Sequence, residues 1–169
     1  MLQLRDLPTI EILQKFADRY PAADVSAVAS FLSLLRVAGD LSSALDACLS
    51  RHDLLQGRWW VLILLMREDS KTSTPSILAE KAGVSRATMT GLLDGLEQHN
   101  LITRVLTKED RRSIFIKLTK AGQAKLDEVM PDYYSRLRVC MQALSEQDRE
   151  KLQQILTIVN AGAVALLNE

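Results

Sequence analysis

The chain has 169 residues, 47% of them hydrophobic and 25% charged, the make-up of an ordinary soluble protein about one domain in size. Its 21 Lys and Arg balance 21 Asp and Glu, so the formal charge is zero, and any attraction to nucleic acid has to come from local segregation of charge. The two cysteines, Cys48 and Cys140, lie far apart with no CxxC or Cys/His spacing, which excludes a zinc site and argues against a disulfide framework.

The N-terminal run Met1 to Asp6 has an acid where a signal peptide would be apolar, and the longest apolar run, Trp59 to Met66, is far short of the roughly 20 residues that span a bilayer. A cytoplasmic chain without a membrane partner is expected. Asp6-Leu7-Pro8 opens a first amphipathic helix with Ile10, Leu13, Ala17 and Tyr20 along one side, stopped by Pro21. Asp24 caps a long helix whose stripe of Phe31, Leu34, Ala38, Leu41, Leu45 and Cys48 is widened by Val28, Leu32 and Leu35. Gln56 to Glu68 is apolar nearly all round, and its length favours a buried helix over a strand. Asp69 to Ser73 reads as a polar loop.

Thr74-Pro75 then starts a short helix, with a hydroxyl before the first turn and proline where its missing N–H costs nothing. Gly83 ends it, Ser85 caps the next helix, and Met89, Leu92, Leu93 and Leu96 give that second helix one buried face. The opposite face holds Ala87, Thr90, Gly91 and Asp94, flanked by Arg86 and Thr88; nothing there is large and apolar, so it could enter a groove. His99-Asn100 closes the helix. Ile102 to Leu106 and Ser113 to Leu118 read as two strands joined by the charged tip Thr107 to Arg112. A polar helix beside a hairpin tip carrying Arg111 and Arg112 is the geometry of a protein that engages the major and minor grooves of DNA together. Charge agrees: Ser76 to Lys120 holds eight basic and five acidic residues, a net +3 that leaves −3 for the rest. Asp110, an acid that DNA would repel, is expected to pair with a neighbouring arginine and hold the wing's shape.

Beyond the hairpin, Thr119 starts a helix running through Leu126, Val129, Tyr133, Leu137 and Cys140 to Leu144, with Pro131 removing one backbone bond and bending it. Ser145 and Asp148 form something close to a capping box for a last helix with the stripe Leu152, Ile155, Leu156, Val159, Ala163 and Leu166. Both cysteines lie on apolar stripes and read as inert buried thiols. The end helices offer more apolar face than a small winged domain can cover, which predicts a homodimer. The fold class is therefore mainly α with a small two-stranded β-wing: dimerisation helices at 1–55, a winged helix-turn-helix at 56–120, and further dimerisation helices at 121–169.

The run Leu78-Ala79-Glu80-Lys81-Ala82-Gly83-Val84-Ser85-Arg86-Ala87-Thr88-Met89-Thr90, with Leu92-Leu93-Asp94, Leu96-Glu97, Asp110-Arg111-Arg112 and Leu118-Thr119-Lys120-Ala121-Gly122, resembles the MarR family of bacterial transcription regulators. The resemblance implies a homodimer on palindromic double-stranded DNA, contacted by Ser85, Arg86, Ala87, Thr88, Thr90, Gly91, Arg111 and Arg112. It also implies release by a small aromatic or phenolic effector, in a pocket to which Trp59, Trp60 and Tyr133 could contribute; otherwise these three are simple core. Many members carry a basic residue where this chain has Gly91, and often another at Gly95, so base readout is expected to be weaker here.

Three function classes can be weighed on these residues. A ligand-responsive DNA-binding repressor accounts for the turn, helix, wing and surplus apolar stripes at once. An enzyme accounts for none of them, because no nucleophile, base, phosphate loop, cofactor or metal spacing can be named. A winged protein-interaction module without specific DNA binding is the alternative favoured by the neutral charge and Gly91.

Overall fold

Helix starts in this chain follow side chains that accept from the unpaired first-turn N–H groups. Thr9 caps α1 (Ile10–Arg19) and Asp24 caps α2 (Val25–Ser50), each accepting from the N–H three residues on. α3 (Gln56–Met66) has no such cap; its length is fixed by burial, with Trp59, Val61, Leu62 and Leu65 all withdrawn from solvent. After β1 (Thr72–Ser73), Thr74 caps α4 (Pro75–Ala82), Gly83 ends it in the left-handed region at φ 65°, and Ser85 caps α5 (Arg86–Gln98). β2 (Ile102–Leu106), β3 (Ile114–Leu118), α6 (Lys120–Met141) and α7 (Glu146–Gly162) follow, with a short 3₁₀ turn at Ala163–Leu166. The computed structural model describes residues 6–106 and 114–167. It divides into two units, Met1–Leu126 and Asp127–Glu169, each described by itself below.

In the first unit α1 packs on α2, while α3, α4 and α5 pack on one another. Their shared core is Leu62, Leu65, Leu78, Met89, Leu93 and Leu96, all at most 1% exposed. Burying one such side chain contributes roughly 1.5–3 kcal/mol. The sheet is antiparallel in the order β1-β3-β2, with Arg104 opposite Ile116 and Ile102 opposite Leu118. Strand alternation turns Ile102, Ile116 and Leu118 inward and leaves Thr103 and Lys117 exposed. In the second unit, Ser145 and Asp148 form a full capping box for α7, and Arg149 donates to the carbonyl oxygens of Leu144 (2.7 Å) and Met141 (3.4 Å) near the end of α6.

Several expectations need correcting. Thr72–Ser73 is not loop: Thr72 pairs with Lys117 and Ser73 with Ile116, so the wing sheet has three strands, because β3 has a free edge that even a two-residue segment can satisfy. α1 is capped by Thr9 rather than opened at Asp6, since the Thr9 hydroxyl stands directly before the first turn. Trp60 is 40% exposed and so is not core, because a helix packed through Trp59, Val61, Leu62 and Leu65 leaves its remaining face outside. Cys48 is buried as expected, but Cys140 is exposed on a part of α6 where Leu137 and Val139 are exposed too. α6 runs through Pro131 as expected but ends at Met141, short of Leu144. The long apolar segment is α2: its most apolar window has mean hydropathy 1.4, and by length and composition it could cross a bilayer.

Candidate nucleic-acid interface

The turn Gly83-Val84-Ser85 sets the angle at which α5 leaves α4. Ser85 Oγ accepts from the Thr88 N–H (3.1 Å) and lies 2.9 Å from Thr88 Oγ1, so the hydroxyl is committed to holding the helix start. One face of α5 is buried through Met89, Leu93 and Leu96; the other, with Ala87, Thr90, Gly91 and Asp94, is exposed, as are Arg86 and Thr88. Thr90 donates its hydroxyl proton to the Arg86 carbonyl (2.9 Å), keeping its oxygen lone pairs and methyl at the surface. Among the described residues, nothing lies within 4 Å of a Cβ added at Gly91. At the far end His99 Nδ1 lies 2.7 Å from the Gly95 carbonyl oxygen, and Asn100 takes a φ of 57° to turn the chain toward β2.

Strand alternation also explains the most connected polar group of the site. Arg104 shares the inward face of β2 with Ile102, so its side chain points at α5 rather than at water. Its Nη2 donates to Asp94 Oδ1 (2.6 Å), its Nη1 to Glu97 Oε2 (2.5 Å), and its backbone N–H to Glu97 Oε1 (3.2 Å). The hydrogen bond to Asp94, reinforced by the charges of both acids, raises the Arg104 pKa above its ordinary value. Sequence reasoning missed this residue. The signal was available: an arginine in the apolar phase of a short strand, following two acids spaced i, i+3 on the helix before it. Asp94 lies on the exposed stripe and there also ties the wing to α5 through Arg104.

The opposite flank of α5 is covered from α3. A Cβ added to Gly57 would meet Leu92 Cδ2 at 2.9 Å, so α3 begins in close contact with α5. One residue on, the half-buried Arg58 lays its guanidinium over Gly95, where a Cβ would collide with Nη2, Cζ and Nε. The glycine therefore accommodates a side chain from another helix, not the close backbone approach that the Gly91/Gly95 spacing suggests.

Of the residues expected to contact DNA, Ser85, Arg86, Ala87, Thr88, Thr90 and Gly91 come together at the exposed N-terminal half of α5. Asp110, Arg111 and Arg112 lie outside the described residues. In the first unit Trp59 is fully buried and Trp60 is exposed; in the second unit the Tyr133 ring stands 5.5 Å from that of Tyr134.

A capped helix-turn-helix followed by a clamped antiparallel wing defines a winged helix-turn-helix protein. Residues 56–114 match the family model described as the MarR family. It is 28% identical to the HTH-type transcriptional repressor YetL of Bacillus subtilis (strain 168) over 155 residues, covering 92% of this chain and 93% of that one. It is also 28% identical to the HTH-type transcriptional regulator PecS of Dickeya dadantii, over 90% of this chain and 92% of the relative. Among solved structures the fold matches the MarR family regulator Sco3205 of Streptomyces coelicolor, in complex with DNA, with a TM-score of 0.77 at 22% identity, over 83% of this chain and 93% of that one. NadR in complex with 4-hydroxyphenylacetate matches with a TM-score of 0.61 at 23% identity, over 76% and 89%.

Proposed function

We propose that this chain is a homodimeric transcriptional repressor that inserts α5 into the major groove of a palindromic operator. The observation that carries the reading is the exposed face of α5, built from small and polar residues at a capped N-terminus and held beside its wing by Arg104. The relatives named as repressors and regulators, and the fold shared with a protein in complex with DNA, support it. Arg86, lying at the positive end of the α5 dipole, meets phosphate or a guanine edge, and the Thr90 methyl suits a thymine methyl. Ser85, Ala87, Thr88 and Gly91 let the backbone approach closely. From the wing, Arg111 enters the minor groove and Arg112 contacts phosphate or pairs with Asp110.

A second copy of the chain is the cover we assign to the apolar faces of the terminal helices, where Phe16, Leu35, Leu41, Ile155 and Ile158 are exposed. The same assignment accounts for α2 without lipid. Its Arg36–Asp40 pair (2.8 Å) and the Asp46 near its end suit a protein interface better than a bilayer, and the chain acts in the cytoplasm. Two-fold symmetry then places half-site centres about 10 bp apart.

A small phenolic or aromatic acid is the effector class, bound beside Trp60 and weakening DNA affinity. NadR, bound to 4-hydroxyphenylacetate, supports the class. A compound that quenches tryptophan fluorescence should also shift operator affinity, because only differential binding to two states can couple the sites; binders that leave affinity unchanged count against an effector.

The zero net charge and Gly91 favour a second reading, a winged protein-interaction module. The test is a salt-dependent mobility shift on duplexes selected from a randomised library. Enrichment of a palindrome whose affinity falls with salt supports the repressor; no enriched duplex leaves the module.

A further inference from the structure

Resting on the reading that α5 enters a major groove, we infer that Arg58 is a phosphate contact delivered to the flank of α5 by a neighbouring helix. Position comes first. Gly95 follows Thr88 by seven residues, so at 3.6 residues per turn the two share one flank, roughly 70° from the outward line through Ala87 and Gly91. A helix with its side chains is about 10–12 Å across and the major groove about 12 Å wide, so the outward line meets base edges while the flanks meet the backbones that form the groove walls. A guanidinium laid over Gly95 is therefore presented to a phosphate rather than to a base.

Charge is the second observation. Arg104 stands on the opposite flank but is taken up by Asp94 and Glu97. Among the described residues no hydrogen bond or ion pair holds Arg58, so its five N–H donors are uncommitted. Space is the third. The guanidinium occupies the volume that a side chain at position 95 would take, so the cation reaches this flank because residue 95 is glycine. A helix without a basic residue of its own on this flank thus carries one borrowed from α3.

The test uses the full chain and the duplex that wild-type protein enriches from a randomised library, with affinity measured against salt for Arg58→Gln, Gly95→Ala and the double change Arg58→Ala with Gly95→Arg. Arg58→Gln should weaken binding about 3- to 10-fold near physiological salt, equally on related and unrelated sequences, and lower the salt slope by about one. Gly95→Ala, which displaces the guanidinium without removing it, should give part of that loss with an unchanged melting temperature. Returning a cation to the same flank in the double variant should restore the slope. If Arg58→Gln lowers the melting temperature but leaves the slope untouched, Arg58 only packs against α5 and the inference is overturned. An unchanged slope and affinity for Arg58→Gln, alongside loss of binding in Thr90→Tyr, overturns it while sparing the groove reading. A wild-type chain that enriches no duplex overturns both.

Discussion

Within the first unit one face of α5 is exposed, and within the second α7 is exposed, yet the chemistry of these two surfaces is opposite. α5 presents Ala87, Thr90 and Gly91 with Arg86 at the edge, and none of these exposed residues is large and apolar. α7 presents Ile155, Ile158 and Val159, has no buried residue at all, and has Ile158 72% exposed. On the proposed reading, the small polar surface takes hydrated, charged DNA and the branched aliphatic surface takes a second copy of the chain. Each surface therefore names the kind of molecule that completes it, and the two can be broken separately.

The largest effect is expected at the aliphatic surface. Ile155→Glu with Ile158→Glu should weaken self-association by about 4 kcal/mol or more, since two-fold symmetry makes the two changes four and each interface side chain of this kind is worth about 1 kcal/mol or more. Sedimentation should then show monomers at micromolar concentration. A dimer as tight as wild type would assign the α7 stripe to some other contact.

On the polar surface, Thr90→Tyr fills the groove-facing side while leaving Met89, Leu93 and Leu96 in place. Specific DNA affinity should fall by about 3 kcal/mol, beyond a hundredfold, with the melting temperature nearly unchanged. A variant that still protects the wild-type operator removes α5 as the reader.

Arg104→Ala tests whether the wing is held by its clamp. It leaves Asp94 and Glu97 facing each other without a cation, and should cost about 1–2 kcal/mol of stability together with part of the DNA affinity. Arg104→Lys should recover little, because a single ammonium cannot span two carboxylates as the guanidinium fork does. Urea denaturation of both variants decides it; wild-type stability in the alanine variant means that apolar packing of Ile102, Ile116 and Leu118 alone holds the sheet.

The smallest effect is the cap. Ser85→Ala should lower stability by about 1 kcal/mol by leaving the Thr88 N–H without its acceptor. DNA affinity should fall no further than that loss of order at the start of α5 explains, as a titration at fixed salt would check.

Local signals in the sequence determined most of the elements. Hydroxyls and acids before first turns at Asp24, Thr74, Ser85 and Ser145, a left-handed glycine at 83 and period-3.6 apolar spacing act within one turn of helix, so they are legible without knowing what packs where. The exposed side of α5 follows from the same spacing. Tertiary structure alone decided what depends on atoms brought from a distance. β1 exists because β3 offers an edge, not because Thr72-Ser73 favours a strand, and the exposure of Trp60 beside the buried Trp59 depends on which side of α3 its neighbours occupy. Arg104 reaches Asp94 and Glu97 through strand phase, and Arg58 reaches Gly95 across 37 positions of sequence, through the packing of α3 on α5. Periodicity records only how a segment faces its own core; which cation lies over which glycine is set by the helix–helix packing that the core produces.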